Sequence, residues 1–384
     1  MSFLEHNQGR LVCIAPDTIY PPSHGAAVRT LQMARIASRT RNTLVVGYAP
    51  EEGTYQWEGV LIKHLRKPTS GPRRAIQLAQ MFFSDDFGLT LPPTILKPET
   101  DAIVLESPFL FTATSRAGVK SFVLNAHNVY QDIAQFPQSG MKERVWSLAT
   151  KKRQASIERE AWKAARHVIF CSSEDRDRAA SIEPSLSIKS SVIPNCVDTR
   201  EYAPLEMPFS SKIRPVMFLG TTRYPPNFFA VKEICETIAP HFPSVNFAII
   251  GESSRRPRVV SSNVSFVGKV AKPAEFLPNG RAAIIPLRHG SGTRLKILEF
   301  FASGVPVVAT AKACQGIEAR DDIHFLRAET PKELIEALSR ILTDENLSMK
   351  LAKNARKLVE SRYDWRRYSD SIASIYFESE RSDH

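Results

Sequence analysis

The densest chemistry in the chain lies in the ten residues "GSGTRLKILE", Gly290 to Glu299. Gly290 and Gly292 flank Ser291, and Thr293, Arg294, Lys296 and Glu299 follow on the first turns of an apolar run that reads as a helix. Glycines at a helix mouth let a ligand approach the backbone, where outward N–H groups and the helix dipole favour an anion. The same dipole disfavours cations at that end by roughly 0.3–1 kcal/mol each. Two cations there, Arg294 and Lys296, make sense if a phosphate offsets them. Glu299 sits five residues after Arg294, far enough along to reach ribose hydroxyls beyond a diphosphate. The plain alternative is a turn followed by a solvated helix start.

Three other places carry candidate groups. In "PPSHGAAVR", Gly25 permits close approach and the helix after it would aim its N-terminus at a ligand, with His24 and Arg29 as candidate site residues. His24 on such a loop is as readily a merely exposed residue. His127 closes the apolar run "SFVLNAH", where a lone histidine is more often a structural hydrogen-bonder than a catalyst. The cysteines Cys13, Cys171, Cys196, Cys235 and Cys314 are odd in number and lack metal-ligand spacing. Most sit in apolar surroundings, which suits reduced thiols in a cytosol.

Elements able to position these groups alternate along the chain. "RLVCIAP", "NTLVVGYA", "DAIVLES", "SFVLNA", "HVIFCS" and "SSVIPN" read as strands, with helices at "GAAVRTLQMARIAS" and from about Met141 to Arg166. A stretch of Pro, Ser and Met without periodicity, from Tyr202 to Arg214, reads as a linker. The alternation restarts with "VMFLG", a helix from about Asn227, "VNFAIIG", "VSFVG", "RAAIIPL", the helix at Lys296 and "VPVVAT". Such alternation predicts α/β domains with doubly wound parallel sheets. At 384 residues the chain suggests two domains of about 180–200 residues. The expected boundaries are an N-terminal Rossmann-like domain over 1–205, a C-terminal one over 206–363, and a last helix, 364–384, returning to the first. Ligands of such sheets sit at the carboxyl ends of the strands, which with two domains means a cleft between them.

Composition sets the class of partner. The chain is 43% hydrophobic and 24% charged with a net charge of +11, an ordinary globular balance with a lean toward anionic partners. The excess is spread, with 25 basic and 20 acidic residues through Ala203 and 26 and 20 beyond it. No apolar run approaches the roughly 18 residues of a membrane span, and "MSFLEHNQGRLVCIAP" lacks a signal-peptide layout. A cytoplasmic protein is expected. Arg73 and Arg74 beside Leu78, Met81, Phe82 and Phe83, and Lys151, Lys152 and Arg153 on the long helix, would suit a peripheral stay at an anionic membrane face. Core residues with solvated charges would give the same pattern.

The segments "YPPSHGAAVRTLQMARIA", "FVLNAHNVY", "SVIPNCVD" and "PLRHGSGTRLKILEFFASGVPVVAT", in this order, resemble the family 4 glycosyltransferases of the two-domain GT-B fold, from about Leu11 to Tyr376. The resemblance implies two Rossmann-like domains facing across a cleft, a nucleotide sugar on the C-terminal one and an acceptor on the N-terminal one. It implies transfer with retention of anomeric configuration, without a metal or other cofactor, from a UDP- or GDP-sugar to a glycan or lipid-linked acceptor in polysaccharide or glycolipid synthesis. Glu299 matches the second Glu of the family's E-x7-E motif, which binds the donor ribose; the first would fall at Ser291, a departure that touches sugar recognition. Lys296, with Arg294 beside it, would neutralise the departing diphosphate, and His127 matches a position near the reacting sugar. Donor contacts would come from Gly25, Arg223, Gly290, Ser291, Gly292 and Thr293, and from backbone groups of Lys269 and Val270 near the base. The family's Arg and Lys after the first C-terminal strand are reduced to Arg223 in "GTTRYPPN", and "VIPNCVD" has Cys196 where glycine is usual. Rival readings are a transferase acting on modified DNA bases, with nucleic acid ranked below glycan and lipid partners, and a GT-B epimerase or nucleotide-sugar-binding protein without turnover.

Overall fold

A computed structural model describes residues 9–67, 91–92, 94–130, 141–204, 214–290 and 293–377, with the side chains of 141–151 left out. The basic and aromatic stretch at 73–83, Lys151, Ser291 and Gly292 therefore fall outside what is described. The chain forms two compact units, Met1–Pro194 with Tyr368–His384, and Asn195–Arg367.

The N-terminal unit is built on strands β1 (Leu11–Ile14), β2 (Thr43–Ala49), β3 (Gly53–Trp57), β4 (Val60–Arg66), β5 (Ala102–Leu105), β6 (Val123–Ala126), β7 (His167–Phe170) and β8 (Ser190–Val192). Their order across the sheet is β3-β4-β2-β1-β5-β6-β7-β8. All neighbours are parallel except β3 and β4. That hairpin turns through Glu58 and Gly59, both at positive φ (44° and 84°), the pairing a two-residue hairpin loop favours. β1 and β2 are buried along their whole length, as strands with covered faces must be. The helix Gly25–Ala37 follows β1, and Met141–Ala164 precedes β7. The helix Ser369–Phe377 completes the unit: Tyr376 is fully buried, and its carbonyl accepts from Arg166 Nη2 at 3.0 Å.

The C-terminal unit has six parallel strands, β9 (Val216–Leu219), β10 (Phe247–Ile250), β11 (Val264–Gly268), β12 (Ala282–Ile285), β13 (Val307–Ala309) and β14 (Leu326–Arg327). They are ordered β11-β10-β9-β12-β13-β14, the 3-2-1-4-5-6 arrangement of dinucleotide-binding sheets. β10 and β12 are buried throughout, while the edge strand β11 alternates half-buried and exposed residues. Helices Pro225–Glu233, Leu295–Ala302, Pro331–Thr343 and Glu345–Arg362 cover the sheet. Leu295–Ala302 buries Ile297, Leu298, Phe300, Phe301 and Ala302 and so leaves few positions for polar residues. Pro331–Thr343 starts at a reciprocal capping box between Thr330 and Glu333.

The unit boundary falls at Pro194 and Asn195, ahead of the expected 205, because residues 195–204 pack on the C-terminal unit. Asn195 Nδ2 donates to the Thr293 carbonyl at 3.2 Å. Arg356 donates to the carbonyls of Tyr202 and Thr199 at 2.6 and 2.9 Å. Tyr202, read as the start of a linker, is 7% exposed. The return to the N-terminal unit begins at Tyr368, and Trp365, expected on the returning helix, is buried in the C-terminal unit.

Candidate active site

In the C-terminal unit the strand order reverses between β9 and β12, and their carboxyl ends open on residues 220–224 and 286–290. Crevices at such reversals are where open α/β sheets bind ligands. Lys296, from the first turn of Leu295–Ala302, reaches this point. Its Nζ donates to Asn227 Oδ1 at 2.8 Å and lies 4.4 Å from the centre of the Phe218 ring at the end of β9. Asn227 Nδ2 in turn donates to the Thr221 carbonyl at 2.9 Å, which fixes the amide's orientation. Among the described residues Asn227 is the sole hydrogen-bond partner of Lys296, so two of the three ammonium donors remain for a ligand. Gly220, at φ +155°, lets the lysine in: a Cβ there would stand 2.7 Å from both Lys296 Nζ and Asn227 Nδ2.

Burial, and the neighbouring Arg294, pull the Lys296 ammonium from 10.5 down to about 7, with Glu299 opposing. Burial pushes the Glu299 carboxyl up, while the Tyr202 hydroxyl and Lys296 oppose it. The Tyr202 hydroxyl donates to Glu299 Oε1 at 3.1 Å. Arg294 holds the position before the helix with extended backbone, φ −88° and ψ 98°. Its guanidinium and the Tyr224 hydroxyl pack on Gly290, at φ +110°, where a Cβ would meet them at 2.7 and 2.8 Å. Burial lowers the Arg294 pKa. Thr293 is buried, and its Oγ1 has no hydrogen-bond partner among the described residues. The structure thus gathers Gly290, Arg294, Lys296 and Glu299 around the end of β9, with Thr293 leading into the helix.

Other expected donor contacts are set apart by their exposure. Arg223 lies on the loop after β9, but its side chain is 71% exposed and 3.9 Å from Glu252. Lys269 is exposed after the edge strand, and Val270 packs partly against the core.

In the N-terminal unit the order reverses between β1 and β5. His24 caps the helix Gly25–Ala37, with Nδ1 accepting from the Ala27 N–H at 3.3 Å, and Gly25 is the first helical residue. Arg29 corrects an expectation: it is fully buried and cannot touch an acceptor. It donates to Asn125 Oδ1 from Nε and Nη2 at 3.2 and 3.1 Å, and to the Pro194 carbonyl at 3.0 Å. His127 stands at the end of β6, its Nε2 2.8 Å from Glu106 Oε2.

Sequence reasoning missed Asn227, Tyr202 and Glu106. Asn227 was visible as a polar residue after "PP" at a helix start, and Glu106 as an acid ending an apolar strand. Tyr202 gave no signal, because it stood in a stretch without periodicity.

Residues 214–344 match the family described as Glycosyl transferases group 1. The group 1 segment holds all six strands of the C-terminal unit and the Lys296–Glu299 cluster. A Campylobacter jejuni protein, N,N'-diacetylbacillosaminyl-diphospho-undecaprenol alpha-1,3-N-acetylgalactosaminyltransferase, is 28% identical over 135 residues. That match covers 33% of this chain and about a third of the relative's length, 35%. The chain is similar in structure to sucrose-phosphate synthase from Thermosynechococcus elongatus, over 96% of this chain and 99% of that one, with TM-score 0.71 and 14% identity. It is also similar to Anabaena HepE solved with UDP and glucose, over 95% and 98%, with TM-score 0.63 and 14% identity. At those identities the likeness is one of fold, and the fold is that of the GT-B glycosyltransferases, as the sequence led one to expect. Among the described residues no group of three or more His, Cys, Asp or Glu is placed to hold a metal ion, and no helix is long and apolar enough to cross a membrane.

Proposed function

We propose that this chain is a glycosyltransferase that moves a sugar from a UDP- or GDP-sugar to a glycan or lipid-linked acceptor. The observation that carries the reading is the half-buried Lys296 ammonium at the β9/β12 reversal, inside the group 1 segment, with two donors to spare. In this reading the acceptor's hydroxyl oxygen bonds to the sugar's anomeric carbon as the bond from that carbon to the diphosphate oxygen breaks; negative charge grows on the leaving diphosphate, which takes up the hydroxyl proton. Lys296 and Arg294 stabilise that charge where burial strengthens the interaction. The arriving diphosphate restores the proton that burial tends to remove from Lys296. Glu299 accepts from the ribose, and Gly290 and Thr293 lie beside the phosphates, where the sequence also offers Ser291 and Gly292 as donor contacts. The N-terminal unit holds the acceptor near His24 and His127.

Retention of configuration, activity without metal or cofactor, and a place in glycan or glycolipid synthesis belong to the same proposal. The activity for which the Campylobacter relative is named, on a diphospho-undecaprenol substrate, supports a lipid-linked acceptor. The UDP in the Anabaena structure supports a uridine donor. The net charge of +11 supports work at an anionic membrane face in the cytoplasm. The test is to incubate the full chain and a chelator with UDP- and GDP-sugars and a diphospho-lipid acceptor, and to follow the anomeric signals by NMR. Transfer with the donor's configuration supports the whole proposal. Inversion or a metal requirement removes those parts of it, and an epimerised sugar without transfer replaces it.

A further inference from the structure

Glu106, at the end of β5, has one carboxylate oxygen crowded and the other bare. Oε2 accepts from the Thr30 hydroxyl at 2.8 Å and from Asn125 Nδ2 at 2.9 Å, and lies 2.8 Å from His127 Nε2. Oε1 is buried and has no hydrogen-bond partner among the described residues. Glu106 and Asn125 are 3% and 0% exposed. The direction of each hydrogen bond follows from Arg29, which can only donate and occupies Asn125 Oδ1. Asn125 must therefore turn its NH2 toward Glu106. A carboxylate only accepts, so His127 Nε2 carries a proton. That leaves Nδ1 as the acceptor of the neutral ring, and no described residue fills it. A network built for packing alone would satisfy both carboxylate oxygens, as buried polar groups generally are.

We propose that Glu106 is a positioning residue: it locks His127 as the Nε2–H tautomer and leaves Nδ1 to accept a hydrogen bond from a hydroxyl of the bound sugar or acceptor. The inference rests on the reading that His127 serves glycosyl transfer. Thr30 and Asn125 hold the carboxylate, and Arg29 holds Asn125, so the ring's orientation is set by Glu106 and the three buried residues that fix it. A wrong tautomer offers a hydroxyl a donor where it needs an acceptor, and wrong-tautomer histidines are known to cost turnover far more than binding.

The test uses the full chain with 15N-labelled histidine and turnover on the nucleotide sugar. In the wild type with the ring neutral, His127 should show a protonated Nε2 and a bare Nδ1. Glu106→Leu should give mixed tautomers and lower kcat by about tenfold or more, with the donor KM within about twofold. Glu106→Gln, which keeps an acceptor in place, should retain the tautomer and most of the turnover. If the Leu variant does not fold, the wild-type spectrum and the Gln variant decide. A wild-type His127 with its proton on Nδ1 overturns the proposal, as does wild-type turnover in Glu106→Leu. Full turnover in His127→Ala would instead sink the role of His127 in transfer and leave the tautomer assignment standing.

Discussion

Lys296 is held in the free protein at a cost. Its ammonium titrates near 7 in the folded chain against an ordinary 10.5. Between those values the unfolded chain binds more protons than the folded one, so stability rises as pH climbs through that window. Lys296→Met should remove that slope and, at pH 7, stabilise the free protein by about 1 kcal/mol, the lost Asn227 contact taking back part of the gain. Melting curves between pH 7 and 9 check this; a variant less stable than wild type at pH 7 would refute the desolvation account. Tyr202 acts on the same cluster through Glu299 Oε1. Tyr202→Phe should keep the fold, since the ring stays, and weaken UDP by about tenfold at most, roughly one hydrogen bond to a charged group. Binding of 2′-deoxy-UDP should change less. Equal losses for the two nucleotides by calorimetry would detach Tyr202 from the ribose.

The elements explain why these side chains meet. β9 ends at Leu219, and Gly220 must both adopt φ +155° and leave room for Lys296 Nζ. Gly220→Ala should therefore lose nucleotide binding and destabilise the protein by about 1–3 kcal/mol, through strain and displacement of the lysine. Chemical denaturation and a UDP titration would check both, and a stable variant that still binds UDP would show that the close approach is unimportant. Most of the parallel strands and the Lys296 helix were legible in the sequence because their apolar runs are bounded by Gly, Pro and polar turns, whereas β14 has only two residues and was not read. The β3–β4 hairpin was not read: its turn is Glu58-Gly59, and β3 is an edge strand with mostly exposed residues, so no apolar run marked it. Arg29 was read as a ligand because a cation near a helix start looks like a site. What identifies it as buried is its pairing with Asn125, 96 residues away, which no local pattern encodes. Glu106 and Tyr202 escaped for the same reason, since their partners come from distant strands and helices.

At the scale of the whole molecule, two α/β units repeat one plan: each has a strand-order reversal, and each gathers its polar residues at the carboxyl ends beside it. The C-terminal unit presents cations, Lys296 and Arg294. The N-terminal unit presents a carboxylate–imidazole pair, Glu106 and His127. The central claim is that the cluster from Gly290 to Glu299 binds a nucleoside diphosphate. The most direct measurement is a thermal-shift panel of UDP, GDP, ADP, CMP and dTDP on wild type, Lys296→Met and Glu299→Ala. A ligand at about 100 times its dissociation constant adds about 2.7 kcal/mol of stability. The account predicts a rise in melting temperature with UDP or GDP that disappears in both variants. A folded wild type that responds to none of the five, or variants that respond as the wild type does, would contradict it.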